Sequence, residues 1–419
     1  MDFFKNCFWI GALCQKVAKK PIFVFCEKTI CENFLNRINS YLGFLTFKRF
    51  FSMKQKWMIL ACCFSCAPIM AQSNVQLYGN VDYGYSYRWN AYKGSHVPKS
   101  NSKIDGGLSS DNMIGFKGKE ELGNNWSTFF VLERSFHLDS GLDGDGFDLG
   151  AYVGIQNAYG TLMGGRMLTP YHELLSSIDP FEASSVGTYQ NIKKDIAQSA
   201  FGEAALFDPD RVNNAVTYVS PEINGFNFTL AYANNAFDAD SLSHHSDNNH
   251  VWSLGVNYQT EQALMGLTYH QINVGNVLKK EAENPLHQVD NLSVGGFYDF
   301  EKIKLSAFYS LDQAKLAHNA QMGGKNKVVQ NNFLIGANVP LGKNEIKASV
   351  QYSQNNAAQL GNSIQAALGY DYNFSKRTTW FAVYSWIGND HNRIATTNDT
   401  QNESSAYQQA LQLGIRHAF

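Results

Sequence analysis

The chain has 419 residues, of which 44% are hydrophobic, 17% are charged and 14% are aromatic. No run of 18 apolar residues occurs, which excludes a bundle of membrane-spanning helices. The formal net charge is −2, so the chain as a whole has no excess of basic residues of the kind that favours binding to nucleic acid.

The N-terminal part of the chain differs in composition from the rest. All seven cysteines lie within it: Cys7, Cys14, Cys26, Cys31, Cys62, Cys63 and Cys66. Near its end, Lys54 and Lys56 precede an apolar stretch over 57–68, and Ala71 provides a small residue at a cleavage position. This order predicts a secretory signal peptide over 53–71, with the mature chain beginning at Gln72.

Two alternatives bear on this segment. A lipoprotein signal at Cys62 would leave too short an apolar stretch, and Cys66 follows CFS, a poor match to such a signal, so we favour cleavage after Ala71. Residues 1–52 show no usable periodicity. They are interpreted as an extension upstream of the translation start, or else as a cytoplasmic leader, and they are excluded from the predicted fold.

The predicted mature chain is acidic and contains no cysteine. Residues 1–71 hold 10 of the 34 Lys and Arg and 3 of the 36 Asp and Glu, which leaves 24 basic and 33 acidic residues and a charge of −9. This balance excludes nucleic acid as a partner. The absence of thiols suits an oxidising compartment.

The first mature segment, 74–89, alternates with period two over 16 residues. Val75, Leu77 and Val81 lie on one face with several aromatic residues, and Asp82 and Arg88 lie on the other. A strand of this length is far longer than a typical strand of a soluble protein.

The same pattern recurs along the chain and predicts sixteen strands. They are 74–89, 111–120, 125–137, 147–157, 160–167, 211–220, 224–233, 250–259, 262–273, 289–299, 302–312, 329–340, 344–354, 361–373, 377–388 and 405–419. The connections alternate strictly between tight turns and long polar loops, such as the one over 90–110. All long loops therefore lie at one end of the strands, which is typical of an outer-membrane β-barrel.

A barrel explains why the apolar faces need no soluble core. In lipid every backbone N–H and C=O must be paired, so a spanning sheet has to close on itself. The final strand ends on Phe419, with apolar residues alternating before it. A terminal aromatic residue of this kind resembles the signal by which the barrel-assembly machinery recognises its substrates.

Five stretches in order resemble the general porins of beta-proteobacteria, including the neisserial type. They are NVQLYGNVDYGYSY (74–87), IGFKGKEELGNN (114–125), AYVGIQNAYGTLMGGRMLTPYHELLSSIDPF (151–181), RVNNAVTYVSPEINGF (211–226) and the ending GIRHAF (414–419). The resemblance implies an all-β transmembrane barrel of 16 antiparallel strands, a homotrimer in outer-membrane lipid, and passive diffusion of ions and small hydrophilic solutes.

The resemblance also implies that the third extracellular loop folds inward and narrows the pore. The matching segment runs from 168 to about 210 and carries four apolar residues that require burial: Leu174, Leu175, Ile178 and Phe181. The alternative is an ordinary solvated loop.

Pore selectivity should come from charges at the constriction. The loop offers Glu173, Asp179, Glu182, Asp195, Glu203, Asp208 and Asp210. Strand positions expected to face the lumen carry Arg88, Lys117, Lys119, Arg166, Arg211, Lys304, Lys347, Arg416, Asp82, Glu133, Asp299 and Asp371. Arg166 and Arg211 stand at family arginine positions. Basic wall residues opposite an acidic loop predict weak selectivity that leans toward anions.

Other functions have weaker support in the sequence. No nucleophile, nucleotide-binding or metal-binding motif appears, so we expect neither an enzyme nor a cofactor. The acidic stretch with Asp139, Asp143, Asp145 and Asp148 lacks the closing Glu of a calcium loop. A plugged receptor or an autotransporter would need a domain that this chain lacks. The nearest alternative is a substrate-selective channel of the same build.

Overall fold

The computed structural model describes residues 74–89, 100–142, 144, 146–182, 185–193, 209–237, 248–275, 286–316, 326–356, 361–389 and 409–419, all within the unit Ala71–Phe419. The predicted signal peptide and extension, and loop residues Asp143, Asp145, Asp195, Glu203 and Asp208, lie outside the described residues.

The described chain is built almost entirely of antiparallel strands. They are β1 (Asn74–Trp89), β2 (Ser100–Gly106), β3 (Met113–Gly123), β4 (Trp126–Ser135), β5 (Gly150–Asn157), β6 (Gly160–Leu168), β7 (Arg211–Val219), β8 (Phe226–Asn234), β9 (His250–Gln259), β10 (Ala263–Asn273), β11 (Leu286–Asp299), β12 (Lys304–Leu316), β13 (Lys327–Leu341), β14 (Asn344–Asn355), β15 (Ser363–Asn373), β16 (Thr378–Asn389) and β17 (Gln409–Ala418). A helix, α1 (Pro170–Ile178), follows β6, and residues 190–193 are also helical. No helix among the described residues is long and apolar enough to cross a membrane.

The sheet closes into a barrel of 16 strand positions. One edge of β1 pairs with β17, and its other edge pairs with β3 over Asn74–Asn80 and with β2 over Tyr83–Trp89. β2 and β3 therefore share one position, and every other neighbour in the barrel is consecutive in sequence. The predicted sixteen-stranded antiparallel barrel is confirmed.

The prediction of one polar loop over 90–110 is wrong for residues 100–106, which form β2. The Asp82 carboxylate explains the break between β2 and β3. It is fully buried and accepts backbone N–H bonds from Leu108, Ser109 and Ser110 at 3.1, 2.7 and 3.0 Å. This long-range contact turns the chain out of the ladder for six residues and then returns it to β1 as β3.

The two faces of the wall follow the alternation in the sequence. On β1, Val75 and Leu77 are 60% and 54% exposed on the outside, whereas Asp82, Ser86 and Arg88 are buried on the inside. The apolar face therefore points outward, as a lipid-facing barrel requires.

The third loop begins with α1 and makes contacts along the inner face. Thr169 caps the helix by accepting from the His172 N–H, and Pro170 occupies the first turn, where no N–H partner is required. Leu174, Leu175 and Ile178 are buried, and Phe181 beyond the helix is 4% exposed. Of the four residues predicted to need burial, all are buried.

Glycines of the wall make room for this segment. A Cβ atom on Gly255 would lie 3.0 Å from the Pro170 Cβ, and one on Gly295 would lie 2.9 Å from the Ile178 Cδ1. On Gly336 it would lie 2.5 Å from the Pro180 Cγ. The backbone of the wall can therefore approach the loop closely only because these side chains are absent.

Candidate functional site

A cavity of about 780 Å³ lies between the third loop and the opposite wall, and it is called the lumenal cavity here. Its lining comes from β1, β2, the segment between β2 and β3, the starts of β3 and β7, β4, the loop between β4 and β5, the third loop and β17. Its charged side chains are Arg88, Lys103, Asp105, Asp111, Glu133, Asp148, Glu182, Asp210, Arg211 and Arg416. The cavity therefore carries charges of both signs.

Glu182 of the third loop faces two cations of the wall. One carboxylate oxygen lies 4.0 Å from the Lys347 Nζ, and the other lies 3.7 Å from the Arg416 Nη1. Lys347 also pairs with Asp371 at 2.9 Å. The Glu182 side chain remains 56% exposed, so this acidic group lies between the basic wall and the lumen.

Arg166 and Arg211 lie close enough to repel each other and both hold the loop between β4 and β5. The Nε atoms of Arg166 and Arg211 donate to the carbonyl oxygens of Asp148 and Leu149 at 2.6 and 2.7 Å. Arg166 also donates to the Asn213 side chain at 2.6 Å. Only Arg211 of the two lines the lumenal cavity.

The two ends of the third loop are joined by Asp210. Its carboxylate lies 3.0 Å from the His172 Nδ1 and accepts from the Gln190 side chain at 2.8 Å. This contact connects the first turn of α1 to the residue before β7, which fixes the base of the loop.

Glu133, Lys117 and Lys119 are three further strand residues predicted to line the pore, and the first two both contact Tyr78. Glu133 lines the lumenal cavity and accepts from the Tyr78 hydroxyl at 2.6 Å. The Lys117 Nζ lies 4.7 Å from the centre of the Tyr78 ring. Lys119 pairs with Glu121 at 2.8 Å, and both are more than half exposed. Neither lysine lines the lumenal cavity.

Asp179 is used inside the loop and does not face the cavity. It accepts backbone N–H bonds from Phe181 and Tyr189 at 3.0 and 2.9 Å, and the Thr188 hydroxyl lies at 3.4 Å. Burial raises the pKa of Asp179 to about 6, because desolvation outweighs the stabilisation from these donors.

Glu173 projects from the exposed side of α1. Desolvation by the surrounding protein nevertheless raises the pKa of its carboxyl group, and the nearby His172 opposes this only in part. Asp179 and Glu173 therefore both retain protons at a higher pH than ordinary carboxyl groups do.

The model of a family described as Gram-negative porin matches residues 59–392. The chain belongs to this family. Outer membrane porin protein 32 of Delftia acidovorans is 29% identical over 88% of this chain and 100% of its own. An outer membrane porin protein of Bordetella pertussis is 26% identical over 83% of this chain and 95% of its own.

The solved structures agree on the fold. An anion-selective porin from Comamonas acidovorans superposes with a TM-score of 0.68 at 24% identity, covering 83% of this chain and all of that chain. The trimer form of OmpT from Vibrio cholerae has a TM-score of 0.59 at 13% identity, covering 83% of this chain and 99% of that chain. This porin is therefore an outer-membrane β-barrel that forms a diffusion channel, and its relatives are channels.

The sequence does not predict one buried ion pair between the third loop and the barrel wall. Lys193 of the third loop and Asp312 of β12 are both fully buried, with the Nζ atom 3.3 Å from a carboxylate oxygen. Lys193 also donates to the Tyr171 hydroxyl at 2.7 Å, and Asp312 accepts from Asn291 and from Asn332. Nothing in the sequence indicates that two residues 119 positions apart form a pair.

Metal binding has no support among the residues that the structure describes, since no group of three or more candidate ligands occurs there. Asp139 and Asp148 of the acidic stretch are described, and the Asp148 carboxylate accepts from the Ser135 N–H at 2.8 Å. Asp148 is thus bound to the last residue of β4, at the start of the loop that contains Asp148.

Proposed function

We propose that this porin is a general diffusion channel of weak ion selectivity that leans toward anions, with the third loop forming its constriction. It acts as a channel and not as an enzyme. A channel selective for one solute is the alternative. The structural neighbour described as anion-selective is 24% identical and bears on the fold alone, so selectivity has to be argued from the charges of this chain.

The observation that carries the proposal is the bonding of Arg166 and Arg211. Within the described residues both guanidinium groups bind neutral oxygens and neither forms an ion pair. Two acidic groups of the cavity, by contrast, each have a cation nearby: Asp105 pairs with Lys103 at 2.6 Å, and Glu182 lies 3.7 Å from Arg416. The two arginines therefore contribute positive charge that no ion pair among the described residues neutralises, although the Asp148 charge acts on Arg166.

Reversal potentials in a salt gradient test this proposal. Arg166→Ala combined with Arg211→Ala should shift the selectivity toward cations, whereas Lys304→Gln, a lumen-facing cation outside the cavity, should not. Heat-modifiable migration of each variant checks that the barrel has folded. A strongly cation-selective wild type, or a double variant with the wild-type reversal potential, would contradict the proposal.

The assembly of the porin completes the proposal. The chain is exported by the signal peptide over 53–71, cleaved after Ala71, inserted by the barrel-assembly machinery through its last strand, and trimerises in outer-membrane lipid. Amino-terminal sequencing of the membrane-inserted protein tests the cleavage site. Crosslinking of the folded protein tests the trimer.

A further inference from the structure

A second, smaller cavity of about 80 Å³ lies beneath the start of α1, and it is called the lower cavity here. Its walls are the first turn of α1 and the inner faces of β4 to β8. The side chains that matter for its chemistry are Glu133, Tyr152, Met163, Met167, Glu173 and Thr217. None of the residues that line it is basic, in contrast to the lumenal cavity.

Two carboxylates contribute to the lower cavity from opposite sides. Glu133 projects from β4 and Glu173 from α1, and both act electrostatically on Tyr152, which lines the same cavity. Among the described residues Glu133 has the Tyr78 hydroxyl as its hydrogen-bond donor, and neither carboxylate forms an ion pair. No basic residue lines the lower cavity itself, although Glu133 also borders the lumenal cavity and His172 acts electrostatically on Glu173. Within the lower cavity the two carboxylates therefore produce a negative potential.

Thr217 provides an independent observation. Its side chain is 4% exposed, it lines the lower cavity, and its hydroxyl oxygen has no hydrogen-bond partner among the described residues. A buried hydroxyl without a partner costs free energy unless a ligand satisfies it. Since this hydroxyl borders the same cavity as the two carboxylates, all three groups can bind one donor-rich cation.

The rest of the lining indicates what kind of cation fits. Met163 and Met167 present apolar surface, and the Tyr152 ring offers an aromatic face. The aromatic face attracts cations, and the methionine side chains offer flexible apolar surface to an alkyl chain. A hydrated metal ion gains nothing from such a surface, whereas an ammonium group on a short apolar chain satisfies both parts of the site.

We propose that the lower cavity is a binding site for small primary alkylammonium ions, in which Glu133, Glu173 and Thr217 accept the three N–H donors. An ammonium group has three donors and no acceptor, which matches this set of acceptors. The alkyl chain lies against the methionines and Tyr152. The site therefore retains protonated amines inside the channel.

Single-channel recording of the folded porin in planar bilayers tests the proposal, with propylammonium chloride added to a potassium chloride background. Propylammonium should reduce the current in a concentration-dependent way, and 1-propanol, which has the same shape without the charge, should not. Glu173→Gln should weaken the block about tenfold, since it replaces one charge-assisted hydrogen bond by a neutral one.

Further variants separate binding from folding. Thr217→Val keeps the shape of the side chain and should weaken the block several-fold through the lost acceptor. The double variant Glu133→Gln with Glu173→Gln should abolish it. Glu121→Gln removes a carboxylate outside the lower cavity and should leave the block unchanged. Heat-modifiable migration identifies any variant that fails to fold, and calorimetric titration of the detergent-solubilised porin with propylammonium gives a second reading.

Several results would overturn the proposal. Equal block of the wild type and the folded double variant would show that the amine binds elsewhere. Block by 1-propanol at the same concentration would show a purely apolar site. Displacement of propylammonium by micromolar calcium would show that the carboxylates form a metal site.

Discussion

The backbone of Phe419 forms a reciprocal pair of hydrogen bonds with Gly79. The Gly79 N–H donates to the Phe419 carbonyl at 3.1 Å, and the Phe419 N–H donates to the Gly79 carbonyl at 3.0 Å. The Phe419 ring also occupies the space that a Cβ on Gly79 would need. Residue 419 therefore takes part in closing the barrel between its first and last strands.

Removing Phe419 should impair assembly more than it changes the pore. Deletion loses two backbone hydrogen bonds of about 1 kcal/mol each as well as the packing of the ring against β1. The level of heat-modifiable folded protein in the outer membrane is the measurement. Phe374→Ala is the matched control, because Phe374 is an exposed aromatic in the turn after β15. Normal folded levels of the deletion variant would contradict the expectation.

Filling the wall beneath α1 should displace the third loop. A Cβ on Gly266 would overlap the Leu174 side chain, so Gly266→Val should cost about 1–3 kcal/mol through overpacking. The single-channel conductance should change, and the thermal midpoint of unfolding should fall. In Gly164→Ala the new methyl group would meet its nearest neighbour at 3.9 Å, which makes it a suitable control. Unchanged conductance in the Gly266 variant would show that the helix does not depend on this contact.

The buried Lys193–Asp312 pair should be sensitive to the loss of either partner. Lys193→Met leaves a buried carboxylate without its cation and should cost about 3–5 kcal/mol. Combining it with Asp312→Leu should recover much of this loss, because the uncompensated charge is gone. Limited proteolysis of the third loop and thermal unfolding report the effect. A single variant as stable as the double variant would contradict a role for charge compensation.

The ion preference should depend on pH in the weakly acidic range. Burial raises the pKa of Asp179 to about 6, and desolvation by the surrounding protein also raises the pKa of Glu173. Raising the pH from about 5 to about 7 therefore adds negative charge to the third loop, and the anion preference should decrease. Reversal potentials measured across this range check the direction. Glu173→Gln should reduce the dependence, and an anion preference that rises with pH would contradict it.

The sequence predicted the barrel well because its alternation is a local property. In β1 and β14, side chains that alternate in polarity are enough to identify the strand and its outward face. β2 was missed because SNSKIDG offers one large apolar side chain, Ile104. Its end depends on the contacts of Asp82 with the chain 26 to 28 residues later.

The site was less predictable because burial inside a lumen leaves no periodic pattern. Three predicted residues do line the lumenal cavity: Arg211, Glu133 and Glu182. Alternation along a strand predicts this for the first two, and position in the third loop predicts it for Glu182. Asp179 lies on the third loop as predicted, but its carboxylate accepts hydrogen bonds from backbone N–H groups of that loop and does not line the cavity. Which of these residues sets ion flow stays a prediction.

The glycines beneath the third loop imply two kinds of constraint on one wall. From β9 to β15 the inner face supports the loop, and added side chains there meet Pro170, Ile178 or Phe181. Near β1 to β4 the inner face borders open space and carries charge. Sequence change on the supporting side should decide whether a channel forms at all. Change on the charged side can alter what passes, so an engineer who wants new permeability should begin there.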